Sequence, residues 1–153
     1  MADSPDRKIL ARNRKALHEY HVVETFEAGL VLAGPEVKSI RDGKASLTEA
    51  FARVDRGEAW LYDMHVTPYD PANRWNLDAT RPRKLLLSRR EIRRLIGATQ
   101  EKGHTLVPLD LHTHRGYIKV NLALARGKKL HDKREDVRKR DAEREMRRAL
   151  RQS

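Results

Sequence analysis

The side chains able to do chemistry are few and poorly grouped. His112-x-His114 would set two imidazoles on one strand face at the spacing of metal ligands, but the following Arg115-Gly116 turn offers no third ligand, so a surface hairpin with incidental histidines is the better account. Asp63 and His65 share a strand face as well, yet no Gly-x-Ser-x-Gly elbow or other nucleophile context accompanies them. The absence of cysteine excludes disulfides, thiolate zinc sites and cysteine nucleophiles, and fits a reducing cytoplasm. The eight glycines are scattered as turn and cap residues, with no Walker or dinucleotide pattern among them. No metal, no cofactor and no catalysis are expected, and binding chemistry is what remains.

Binding points to a polyanion. The net charge is +11 with a sequence pI near 10.3, a field that gathers nucleic acid through many weak, salt-sensitive contacts. An anionic membrane is the lesser alternative, because no apolar run is long enough for a signal segment or a membrane span. The charge is uneven: the 28 residues from Arg126 to Ser153 hold 12 Lys/Arg against 6 Asp/Glu, so this arm carries +6 while the preceding 125 residues carry +5. Between the two parts lies Gly127-Lys-Lys-Leu-His-Asp-Lys-Arg134, where burial stops and charge takes over. A second basic group, Arg81, Arg83 and Lys84, precedes Leu85-Leu86-Leu87 at the mouth of a long loop, and guanidinium forks suit phosphate. At most one of those three leucines should face outward.

The elements that must position these groups are short. Residues 1–12 read as a flexible N-terminus, at most marginally helical near Ile9 and Leu10. From His18 the alternation is strand-like, with two short strands separated at Ala28-Gly29. Gly34 to Gly43 carries the punctuation of one short helix, with proline at its start and glycine past its end. Ala50–Val54 and Ala59–Val66 flank a turn at Gly57, with Trp60, Tyr62, Met64 and Val66 on one face. Residues 68–83 form a long surface loop in which Trp75 has no local packing account. Ser88-Arg-Arg-Glu91 is a capping box opening a helix that Gly103 ends. Leu106–His112 and Gly116–Ala125 make a closing hairpin, with Ile118, Val120, Leu122 and Leu124 on one face and Tyr117, Lys119 and Asn121 on the other. About six strands with interposed short helices suit a closed oligonucleotide-binding-type β-barrel, since closure removes exposed edges. The fold class is therefore mainly β over residues 13–126, with residues 127–153 a basic tail, disordered when free and helical when bound. Ala142, Met146 and Leu150 give that tail only a thin apolar stripe, too little for a stable free helix.

Five blocks, in order, carry a family resemblance: Asn13-Arg-Lys-Ala-Leu-His18-Glu-Tyr20, Phe26-Glu27-Ala-Gly-Leu30, Glu36-Val-Lys-Ser-Ile-Arg-Asp-Gly-Lys44, Arg81-Pro-Arg83-Lys84-Leu-Leu86-Leu87, and the octet from Gly127. Together they resemble the SsrA-binding proteins (small protein B), partners of transfer-messenger RNA in bacterial ribosome rescue. The resemblance implies a barrel gripping the tRNA-like domain of that RNA, and a tail entering the small-subunit decoding site in place of codon–anticodon pairing. Asn13, His18, Glu27, Arg81, Arg83, Lys84 and Leu86 fall in blocks tied to RNA binding. Lys128, Lys129, His131, Asp132, Lys133 and Arg134 fall where the family's tail meets small-subunit ribosomal RNA. Further implied are a cytoplasmic monomer that engages no membrane, and contact with elongation factor Tu and alanyl-tRNA synthetase through the charged RNA. Two readings of the composition compete: a general RNA or nucleoid binder, which would show steep salt dependence without RNA preference, and an RNA-modifying or RNA-cleaving enzyme.

Overall fold

The computed structural model describes residues 7–68, 78–101, 103–128, 140 and 144–146. Within them the elements run β1 (Ile9–Arg12), α1 (Arg14–Glu19), β2 (Tyr20–Leu30), α2 (Gly34–Arg41), β3 (Ala45–Ser46), β4 (Phe51–Asp55), β5 (Glu58–Tyr62), β6 (His65–Val66), β7 (Arg83–Leu86), α3 (Arg89–Thr99), β8 (His104–His114) and β9 (Tyr117–Gly127). Six strands close a ring in the order β8-β4-β5-β7-β2-β9, with β9 returning to β8, and every pairing in it is antiparallel. This is the expected oligonucleotide-binding-type barrel. β1 pairs with β8 outside the ring, and β3 with β6 forms a separate small sheet.

Two turns fix the hairpins. Arg56-Gly57 and Arg115-Gly116 have positive φ at both central residues (52° and 78°, 53° and 82°), the primed geometry whose twist matches that of paired strands. Alternation then sends Ile118, Val120, Leu122 and Leu124 inward from β9 to meet Leu61, Leu85, Leu106 and Leu111, all buried. α3 starts at the expected capping box, with the Glu91 amide donating to Ser88 Oγ at 3.2 Å and the Ser88 amide donating to Glu91 Oε1 at 3.0 Å. It packs Leu95 and Ala98 against β4, β8 and β9. α2 opens at Gly34-Pro35 and ends at Arg41, with Gly43 at φ 76°, as its punctuation predicts.

Four expectations change. Ile9–Arg12 is a strand, not a loose or marginally helical lead, because its backbone finds partners along β8: Ile9 opposite His112 and Arg12 opposite Asp110. The ordered domain therefore starts before residue 13. His18 lies in the helix α1, which Asn13 starts by accepting the Ala16 amide at 3.1 Å. β2 is one strand of 11 residues running through Ala28-Gly29, because β9 pairs with it almost throughout. Asp63 sits at φ 58° and resets the alternation, so Ala59 and Leu61 turn inward with Met64 and Val66 while Trp60 and Tyr62 stay on the outer side. Trp75 lies outside the described residues.

Candidate nucleic-acid interface

The outer face of β7, β2, β9 and β8 is built by register. One row across the strands places Leu86 opposite Gly29, Gly29 opposite Lys119 and Lys119 opposite His112. The next places Glu27 opposite Asn121 and Asn121 opposite Asp110. Glu27 and Leu86, 59 positions apart in the chain, thus share one surface, because both rows point away from the Ala28 and Val120 core.

Leu86 resolves the three-leucine run as expected: Leu85 is buried, Leu87 packs partly against the core, and Leu86 is 53% exposed. Gly29 is what lets it lie there, since a Cβ at that position would stand 3.2 Å from Leu86 Cβ. Beside Leu86 is a hollow of about 490 Å³ whose walls include Lys84, Arg89 and Ile92. Lys84 pairs with Glu58 at 3.1 Å on the exposed surface, a weak contact that leaves its other donors available.

Glu27 is the centre of a cluster that the sequence did not reveal. Its Oε1 lies 2.8 Å from His114 Nδ1, and its Oε2 lies 2.8 Å from His112 Nε2 and 3.1 Å from Arg7 Nη2. His112 Nδ1 is 2.8 Å from Asp110 Oδ1, and the Asn121 amide donates to both Asp110 oxygens. Burial works against ionisation of the Glu27 carboxyl, but hydrogen bonds from His114 and His112 outweigh it and hold the pKa below the usual carboxylate range. The histidines are therefore not incidental to a surface hairpin: His112 is 1% exposed, covered as β1 pairs with β8. A usable signal lay in the alternation Asp110, His112, His114, three polar groups on one face of a strand otherwise rich in apolar residues. Among the described residues no group of three or more His, Asp and Glu is arranged to hold a metal ion.

Two predicted contact residues face inward instead. Arg83 is fully buried, its Nε donating to Glu36 Oε2 at 2.7 Å and its Nη1 to Met64 O at 2.7 Å, so it joins α2 to the turn before β6 and cannot meet phosphate. Alternation along β7 explains this correction, since position 83 shares the inward parity of Leu85. Arg81 also donates to Glu36, through Nε and Nη2, while remaining partly exposed. Asn13 is buried too, its amide donating to Leu47 O at 3.1 Å and Pro108 O at 2.9 Å while its oxygen caps α1. It places α1, on which His18 is exposed. α1 rests by Ala16 on Ala123, Ala125 and Val107, the small residues of β9 leaving room for it.

Of the tail, Lys128 follows β9 with its amide donating to Glu19 O at 2.8 Å. Lys129, His131, Asp132, Lys133 and Arg134 lie outside the described residues. Arg140 and Arg144–Met146 are helical and exposed.

Comparison with known proteins finds relatives over nearly the whole chain. The family profile described as "SmpB protein" matches residues 10–152. The SsrA-binding protein of Carboxydothermus hydrogenoformans is 57% identical over 144 residues, covering 94% of this chain and 97% of its own. That of Desulforudis audaxviator is 57% identical over 151 residues, covering 99% and 98%. A chain in a solved structure described as "tmRNA-SmpB: a journey to the center of the bacterial ribosome" superposes with a TM-score of 0.67 at 49% identity, covering 83% of this chain and 93% of that one. With a profile spanning barrel and tail alike, and full-length relatives at more than half identity, the chain belongs to the SmpB family of SsrA-binding proteins.

Proposed function

We propose that this chain binds the tRNA-like domain of transfer-messenger RNA (SsrA) through the outer face holding Leu86 and Glu27, and acts with it on stalled ribosomes. The observation that carries this is Leu86 itself. A leucine left half in water between a buried and a partly buried leucine, with a glycine opposite that clears its path and cations at the edge of the adjoining hollow, is suited to pack on a nucleobase while phosphates take the charge. The tail from Lys128 through Lys129, His131, Asp132, Lys133 and Arg134 then occupies the small-subunit decoding centre and empty messenger channel where codon and anticodon would pair. Elongation factor Tu and alanyl-tRNA synthetase meet the protein only through the charged RNA, and the protein acts as a monomeric, non-catalytic adaptor in the cytoplasm. No helix among the described residues is long and apolar enough to cross a membrane.

Leu86→Asp tests the reading. Loss of one base contact and added repulsion of phosphate should weaken binding of the tRNA-like domain by about tenfold or more, with the melting temperature little changed because the side chain is exposed. Competition against an unrelated structured RNA is the control: wild-type protein that prefers neither RNA would make this a general RNA binder.

A further inference from the structure

We propose that Glu27 serves as the anchor of a proton-dependent RNA-phosphate site, in which His114 Nε2 and the free guanidinium donors of Arg7 face the phosphate. The inference rests on the RNA-binding reading above and assigns the chemistry of one part of that face.

Hydrogen-bond accounting leads to it. The Glu27 carboxylate already meets His114, His112 and Arg7 at 2.8, 2.8 and 3.1 Å, which leaves it poorly placed to accept from RNA as well. An ionised carboxylate only accepts, so His114 Nδ1 carries the proton of that bond. The outer nitrogen, Nε2, has no protein partner among the described residues, and the ring is 32% exposed. In the neutral ring Nε2 presents a lone pair, which repels a phosphate oxygen; in the imidazolium it presents an N–H aimed at solvent. Phosphate contact and proton uptake at His114 are thereby the same event.

His112 has carboxylate oxygens at both ring nitrogens, so neither of its nitrogens is open to RNA. A proton on His114 adds one positive charge where the ring meets solvent. The other groups facing it come from β9, where Lys119 lies opposite His112 and Tyr117 opposite His114, and from β1, which brings apolar Ile9 opposite His112. Lys119 adds positive charge 5.9 Å from the centre of the 71% exposed Tyr117 ring. Arg7 is itself 43% exposed and uses Nη2 toward Glu27, so most of its fork points elsewhere.

The test is fluorescence anisotropy with a labelled tRNA-like domain of transfer-messenger RNA, from pH 5.5 to 8.5 at constant ionic strength, for the full-length chain and its His114→Gln and Glu27→Gln variants. Wild-type affinity should rise by about three- to tenfold as pH falls through the histidine range, the size of one charged hydrogen bond. His114→Gln should show no such rise and, at pH 5.5, lower the salt slope of log affinity by about 0.7 to 0.9, one phosphate contact. Glu27→Gln should also flatten the pH response while the fold, checked by circular dichroism, persists. A wild-type affinity indifferent to pH, or a His114→Gln protein that keeps the wild-type pH response, overturns this inference alone. Absence of binding at every pH removes the RNA-binding reading, and this inference with it.

Discussion

Arg83 shows what a single residue's neighbours decide. In the block Arg81-Pro-Arg83-Lys84 three side chains favour phosphate, and only strand parity separates the buried guanidinium from the more exposed cations beside it. Parity could not be read before the strand's start was known, so Arg83 looked like a contact residue. In the fold it makes a buried pair with Glu36, and removing one partner leaves an uncompensated charge in the interior. Glu36→Ala should therefore cost about 3 to 5 kcal/mol in urea unfolding, far more than the exposed pair Lys84–Glu58 would on loss of either partner. The pair also has an acid signature. Burial pushes the Glu36 carboxyl up, but hydrogen bonds from Arg81, the Ala33 amide and Arg83 outweigh burial and hold its pKa below the ordinary range. The folded chain thus gives up this proton more readily than the unfolded one, so the contribution is complete above the unfolded carboxylate pKa and is lost as pH falls through it toward the folded value. Stability should drop below about pH 4.5 in wild type, and a Glu36→Gln variant, already weakened at pH 7, should show a shallower drop.

Elements with their own punctuation were legible, and elements defined by a distant partner were not. The capping box at Ser88, the Gly34-Pro35 helix start and the two glycine turns each contain the atoms that fix them, and each stands where the sequence puts it. β1 and the unbroken length of β2 depend on β8 and β9, 90 or more residues away, whose edges supply hydrogen bonds that no local pattern reveals. The Glu27 cluster was hidden for the same reason, since Glu27 meets His112 and His114 only across β9. α1 is a mixed case: Asn13 is a proper cap, but the helix has six residues and is held by the alanine floor of β9. That floor makes a prediction about placement. Ala125→Leu would force extra methylenes beneath Ala16 at a cost of about 1 to 3 kcal/mol, and would tilt α1 away from β9. Thermal melting should fall, and RNA affinity should fall beyond what the unfolded fraction explains, because His18 rides on that helix. Unaltered RNA affinity in the folded variant would show that α1 takes no part in the interface.

At the scale of the whole molecule, closure of the ring and the division of charge fit the proposal of two tasks for two regions. The barrel closes through the β8–β9 and β2–β9 pairings, which are complete by Gly127, and among the described residues its core reaches no further than Ala125. The described core is therefore complete before the arm, which carries more than half of the net charge in under a fifth of the chain. A uniform basic surface would make RNA affinity and ribosome function rise and fall together, whereas an arm specialised for the decoding site would let them separate. Truncation after Leu130 decides between these. It removes His131, Asp132, Lys133 and Arg134 with everything that follows, while keeping the Lys128 amide bond to Glu19 O that ends β9. The melting temperature should stay within about 2 °C of the full chain, since every buried residue of the described core lies at or before Ala125. Affinity for the tRNA-like domain should stay within a few-fold, falling only by the long-range share of the lost cations, a difference that shrinks further as salt is raised. Tagging of nascent chains on stalled ribosomes, measured in a reconstituted translation reaction, should be abolished. Asp132→Asn in the full chain refines the same question: a pure charge clamp gains from losing this acid, so reduced tagging with unchanged RNA affinity would mean that the tail is read for its specific hydrogen-bonding groups as well as its charge.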